Sequence, residues 1–151
     1  MPAPSQTSQS VRPLALLICE SVLHDVDGSR TYHRLFNRIE GGPGLPACIP
    51  RIAVVVSVAA PPKAGSVVVS IESRDGADKV FEGMIDLNDA PEHVGEFDAV
   101  LILGGIAFNQ HGPYIVSVHH NSETIIWREL EVVAKPKSSS PELATKSETE
   151  R

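Results

Sequence analysis

Seven aromatic residues (four Phe, two Tyr, one Trp) and two cysteines are all that this chain of 151 residues carries of either class, and the scarcity excludes several kinds of protein. Cys19 and Cys48 form no Cys-x-x-Cys pair and show no zinc-type spacing. A disulfide framework and a zinc finger are therefore both excluded, and two free thiols are expected. The one basic grouping, His33, Arg34, Arg38 and Arg51, has no aromatic rings interleaved with it to stack bases, which argues against a single-strand nucleic-acid binder. Long apolar runs are missing too. Leu14-Ala15-Leu16-Leu17-Ile18-Cys19 resembles a lipoprotein signal, but it is six residues long, no cluster of positive charge precedes it, and bulky Ile18 stands where a peptidase needs a small residue. It is also far shorter than the roughly 20 residues of a membrane-spanning helix. No membrane association and cytoplasmic residence are the expectations.

The catalytic and cofactor signatures are absent in the same way. Leu101-Ile102-Leu103-Gly104-Gly105 enters no Gly-x-Gly-x-x-Gly loop, and there is no Gly-x-Ser-x-Gly elbow, Gly-Lys-Ser phosphate loop or zinc-protease helix. His119-His120, with His111 upstream, are adjacent on a strand and so point to opposite faces, which does not suit a single metal ion. Asp25-Val26-Asp27-Gly28 and Asp75-Gly76-Ala77-Asp78 lack the remaining ligands of a calcium loop and read as hairpin turns. No cofactor, no metal and no enzymatic activity are expected.

What the chain has is Val, Ile, Leu and Ala in alternation. Hydrophobic residues make up 42% and charged residues 21% of the sequence, within the range of globular domains. The formal charge is −6, and residues 14–134 hold 8 Lys+Arg against 16 Asp+Glu, a local balance of −8 that repels phosphate. Residues 1–13 and 135–151 have too little apolar surface to offset the entropy of ordering them, and are expected to be flexible tails.

Between the tails, strand signals and turn signals alternate. Residues 14–20 form an apolar run that ends at Asp27-Gly28. Ile52, Val54, Val56 and Val58 share one face, as do Val67, Val69 and Ile71, and Asp75-Gly76 then turns the chain into residues 80–87. Gly104-Gly105 inside residues 97–108 marks a bulge or a close backbone approach. From Gly112-Pro113 a closing hairpin runs through Tyr114, Val116 and Val118, turns at Asn121-Ser122 and returns through Thr124, Ile125 and Trp127. Only residues 31–39 are ambiguous, because Tyr32, Leu35, Phe36 and Ile39 fit a helical stripe as well as they fit alternation. With no long amphipathic helix to make parallel crossovers, the expected fold is all-β: an antiparallel immunoglobulin-like β-sandwich of about seven to eight strands.

Ala15-Leu16-Leu17, Asp27-Gly28, Leu35-Phe36-Asn37-Arg38-Ile39, Pro46-Ala47-Cys48-Ile49-Pro50-Arg51-Ile52-Ala53-Val54, Asp75-Gly76, Gly112-Pro113-Tyr114 and Glu131-Val132-Val133 occur in that order. Over residues 14–134 this order resembles a family of small bacterial β-sandwich proteins known only as a domain of unknown function. Its members tend to read Phe-Asp-Arg-Ile where this chain has Phe36-Asn37-Arg38-Ile39, and His-Pro-Arg where it has Ile49-Pro50-Arg51. The resemblance implies a strand over residues 31–39 and implies no activity.

The expected function is that of a non-catalytic accessory or protein-interaction module. Its candidate surface is the segment 41–51 with Arg34, Arg38 and Arg51, and an unpaired edge strand offers a route to a homodimer. The alternative is a small-ligand or glycan-binding module that uses Tyr32, Tyr114 and Trp127, the residues able to supply aromatic walls with a polar tip.

Overall fold

The computed structural model describes residues 10–42, 44–60, 64–89 and 96–136. Nine strands follow one another: β1 (Arg12–His24), β2 (Arg30–Leu35), β3 (Arg38–Gly41), β4 (Ala47–Ala59), β5 (Ser66–Ser73), β6 (Lys79–Asp86), β7 (Glu96–Phe108), β8 (Gly112–His120) and β9 (Glu123–Ala134), with a single 3₁₀ turn at Leu87–Asp89. They form one sheet in the order β2-β1-β4-β7 and a second in the order β3-β9-β8-β5-β6. Every pairing is antiparallel except that of β3 with β9, which is parallel.

The core lies between the layers and is built from the alternation the sequence shows. Ile52, Val54, Val56 and Val58 face inward from β4, and Leu16 and Ile18 join them from β1. They meet Val67, Val69 and Ile71 from β5, Val116 and Val118 from β8, and Leu130 and Val132 from β9. Each is almost wholly removed from water, and burial of one such side chain contributes about 1.5–3 kcal/mol. The turns are those that the residues specify. Gly28 and Gly76 take φ of +84° and +74°, and Asn121 and Ser122 take +51° and +68°, as a tight hairpin turn requires.

Residues 31–39 are extended but do not form the single strand expected of them. Phe36 N–H donates to the Ile18 carbonyl of the first sheet at 3.0 Å, whereas the carbonyl of the next residue, Asn37, accepts from Glu131 N–H of the second sheet at 2.9 Å. The chain changes layers between these two residues. Ile39 then faces the core from the opposite sheet, and this explains the helix-like spacing: two short alternating segments are joined out of phase.

Two further boundaries differ from expectation, and at Gly104-Gly105 one of the two expected features, the bulge, is absent. β1 begins at Arg12, which pairs with Ala59, and Val11 before it is buried, so the ordered domain starts earlier than residue 14. Within the expected loop 41–51, residues 47–51 already belong to β4. Gly104 and Gly105 make no bulge, since the register of β7 on β4 is the same on both sides of them. Gly105 instead adopts φ +63° opposite Pro50, which has no N–H to give to the ladder. The tails expected at 1–13 and 135–151 fall largely outside the described residues, as does most of the acidic stretch after Asn88.

β1 stays with β4 only as far as the Cys19–Ala53 pair and continues with β2 alone, from Cys19–Leu35 to His24–Arg30. This two-stranded ribbon folds over the outer face of its own sheet. Val22 and Tyr32 pack with Cys19, Ala53, Val55 and Val100 in a second apolar cluster. Arg30 Nη1 lies 3.5 Å from Asp98 Oδ2 on β7. Because of this cover, Cys19, Ala53 and Val55 are 0% exposed although they face away from the main core.

Where β3 passes β4, a Cβ placed on Gly41 would lie 2.5 Å from the Ala47 Cβ. The Gly41→Ala variant is expected to lose about 1–3 kcal/mol through overpacking, read as a lower urea midpoint with an unchanged m-value.

Candidate functional site

The departure of β1 from β4 leaves the first residues of β4 without a neighbour on that side, and a cleft of about 560 Å³ opens there. Phe36, Ile39 and Ile49 make its apolar floor, with Leu35 at the mouth. Arg34 from β2, Arg38 from β3 and Arg51 from β4 line its rim. Arg34 Nη1 pairs with Glu20 Oε2 at 3.2 Å, an exposed contact of the kind that contributes 0–1 kcal/mol. Among the described residues, Arg38 and Arg51 form no ion pair. Three guanidinium groups against one carboxylate make this a positive cleft in a negative domain. Arg34 also holds φ +54°, uncommon for a residue with a side chain, at the point where β2 bends toward the crossing.

The three arginines named from the sequence are thus brought together from three strands, although the segment 41–51 contributes strand residues rather than a long loop. His33, their neighbour in sequence, does not line the cleft.

The three candidate aromatic residues do not meet. Tyr32 is half-buried in the cluster beneath the β1–β2 ribbon. Tyr114, expected to face a ligand, is 0% exposed and packs edge-on against Phe108, with ring centroids 4.9 Å apart and planes at 83°. Its inward position follows from the parity of β8, which puts Tyr114, Val116 and Val118 on the core side. Its hydroxyl donates to Asp78 Oδ2 at 2.5 Å, lies 3.2 Å from the Gln110 carbonyl and accepts from Gln110 N–H at 3.3 Å. Burial, reinforced by the Asp78 carboxylate, pushes the Tyr114 pKa up to about 12. Burial also pushes the Asp78 carboxyl up, but hydrogen bonds from Tyr114 and from the side chain and backbone of Asn109 outweigh it and hold Asp78 below its ordinary value.

Trp127 is 57% exposed on the outer face of β9. It borders a shallow groove of about 460 Å³, with Glu72, Ile115, Ser117, His119 and Thr124 around it. His119 Nε2 lies 2.8 Å from Ser117 Oγ and its Nδ1 lies 3.0 Å from Thr124 Oγ1, while Ser117 Oγ lies 2.9 Å from Ser70 Oγ. His120 instead reaches the Ala64 carbonyl through Nε2 at 2.9 Å, so the adjacent histidines engage different partners. Both cysteines are free thiols: Cys48 is exposed, and burial raises the pKa of Cys19. Glu20, Phe36, Glu72 and Thr124 were not singled out from the sequence. For Glu20, Glu72 and Thr124 the only sequence signal is parity on a strand, which names a face but not its neighbours, and Phe36 lies in the connection between β2 and β3, where parity is broken.

The sheet orders, the parallel β3–β9 closure and a tyrosine at the β7–β8 corner bonded back to the preceding backbone together define an immunoglobulin-like β-sandwich. The chain belongs to the family of unknown function DUF6941, whose model matches residues 14–133. No curated protein matches it. Among solved structures it is similar to the crystal structure of an immunoglobulin-like protein from Pseudomonas aeruginosa, with 10% identity, covering 84% of this chain and 99% of that one, at a TM-score of 0.44.

Removing the Tyr114 hydroxyl by Tyr114→Phe is expected to cost roughly 1–3 kcal/mol at neutral pH, because a charged acceptor loses its donor. A tyrosine whose pKa is higher when folded contributes stability that is complete below its unfolded value of about 10. That contribution is lost as pH rises through about 12. The gap between wild type and variant in denaturation midpoint should therefore shrink over this alkaline range. The Asp78 contribution has the opposite sign, being present above about pH 4 and lost on further acidification.

Proposed function

We propose that this protein is a non-catalytic binding module that receives an anionic segment of a protein partner in the arginine cleft. The observation that carries this reading is the convergence of Arg34, Arg38 and Arg51 over an apolar floor. Guanidinium forks suit carboxylates and phosphates, and the floor suits apolar side chains that flank them. The Ser117–His119 contact is the nearest approach to a catalytic pair, at 2.8 Å. It lies toward the end of β8, on the outer face of the sheet, and His119 is held between Ser117 and Thr124. The reading favours a separate partner over a second copy of the chain. On β6, one of the four edge strands, the charged pair Lys79–Glu82 discourages sheet extension. The small-ligand alternative is narrowed to Trp127, since Tyr114 is in the core and Tyr32 lies on the other sheet.

Affinity capture from the source cell tests the reading, using wild type, the Arg38→Glu/Arg51→Glu double variant and Arg12→Glu as a distant control. Wild type and control should retain the same salt-sensitive partner, and the double variant should lose it. With the partner in hand, each single Arg→Ala change in the cleft is expected to weaken binding about tenfold, or about 1.4 kcal/mol. An identical captured set from the double variant would overturn the proposal.

A further inference from the structure

A second surface carries its own chemistry. Across the outer face of the β3-β9-β8-β5-β6 sheet, the register places Trp127 opposite Ser117, and Ser117 opposite Ser70. Two small side chains next to an indole leave the depression in which the groove lies, so the Trp127 ring stands as a wall that no neighbouring strand covers. In the adjoining row Ile115 pairs with Glu72. Thr124 and His119 close the far end.

The polar groups around this groove are of mixed kind. Thr124 offers a hydroxyl and Glu72 a carboxylate. Among the described residues, Glu72 makes no side-chain hydrogen bond or ion pair, although it is half-buried. Arg74 is neutralised by Glu129 at 3.2 Å. The remaining unpaired charge is therefore negative, which turns away phosphates and carboxylates and separates this surface from the arginine cleft. Quaternary ammonium groups are characteristically held in a cage of several rings, and the groove has one. An open plate formed by a single indole and flanked by acceptors and hydroxyl groups suits a ring with an apolar face and a polar edge.

We infer that the Trp127 groove binds one neutral sugar ring of a saccharide, stacked on the indole with its hydroxyl groups donating to Glu72 and meeting Thr124. This site is independent of the anionic partner proposed for the cleft, and each survives the failure of the other.

Trp127 is the only tryptophan in the chain, so its emission reports the site directly. The full chain would be titrated with defined neutral oligosaccharides (cello-, malto-, xylo- and N-acetylglucosamine oligomers) up to tens of millimolar. Calorimetry would run in parallel for variants that lack the fluorophore. A saturable emission change with at least one of these series is expected. Trp127→Ala should abolish the heat of binding, Trp127→Phe should restore part of it, and Glu72→Gln should weaken it about tenfold. The Arg38→Glu/Arg51→Glu variant should bind as wild type. Trp127 and Glu72 are outside the core, and an unchanged dichroism spectrum verifies that these variants fold. Three results would each overturn the inference: no saturable change with any series, sugar binding that survives Trp127→Ala, or saturation by a quaternary ammonium probe such as choline without saturation by sugars.

Discussion

The rest of the molecule depends on the crossing of the chain from one layer to the other at Phe36 and Asn37. Two successive residues hydrogen-bond to opposite sheets, Phe36 to Ile18 and Asn37 to Glu131. Among the described residues, no other pair of neighbours ties the layers so directly through backbone. The crossing brings β3 alongside β9 in parallel and closes the second sheet. It also pulls β2, and with it the far half of β1, away from β4. A single backbone constraint thus seals the sandwich on one side and opens it on the other.

The opening is what gives the fold a surface with character. A sandwich whose first sheet stayed flat would present Cys19, Ala53 and Val55 as an apolar outer face. Here the β1–β2 ribbon covers them, and Arg30 reaches Asp98 on the far strand. The space that the ribbon vacates exposes the start of β4, and Arg34, Arg38 and Arg51 gather there from three separate strands. Among the described residues, their mutual repulsion is relieved by one paired carboxylate, Glu20. Positive potential is therefore concentrated at one place in a domain of net negative charge, an arrangement that steers an anionic partner to that place.

The corner between β7 and β8 shows the opposite use of a polar side chain. Tyr114 is buried to the ring, yet its hydroxyl is matched to Asp78 and to the Gln110 backbone. Asp78 in turn receives Asn109 through both side chain and backbone. A buried hydroxyl without partners would cost stability; with them it locks the β5–β6 turn to the β7–β8 connection. The serines of the outer face are handled alike, since Ser70 and Ser117 bond to each other and to His119. Polar groups at both places are satisfied locally, whereas among the described residues Arg38 and Arg51 of the cleft and Glu72 of the groove form no ion pair.

Strand identity and turn placement were legible from the residues themselves. Alternation in Ile52-Ala53-Val54-Val55-Val56 and in the Val67 and Tyr114 segments names a buried face, because successive side chains of an extended chain point opposite ways. Asp-Gly and Asn-Ser at the turns name the bends, because those residues accept positive φ. These are properties of a few neighbouring residues. The change of sheet at Phe36 was not legible, and its broken phase imitated a helix. Nor could the sequence show that the outward Trp127 borders a groove, or that Arg34, Arg38 and Arg51 share a rim while the aromatics stay apart. Local parity says which side of a strand a residue occupies, but what faces that side is set by contacts between strands distant in sequence, and only their packing into two layers determines it.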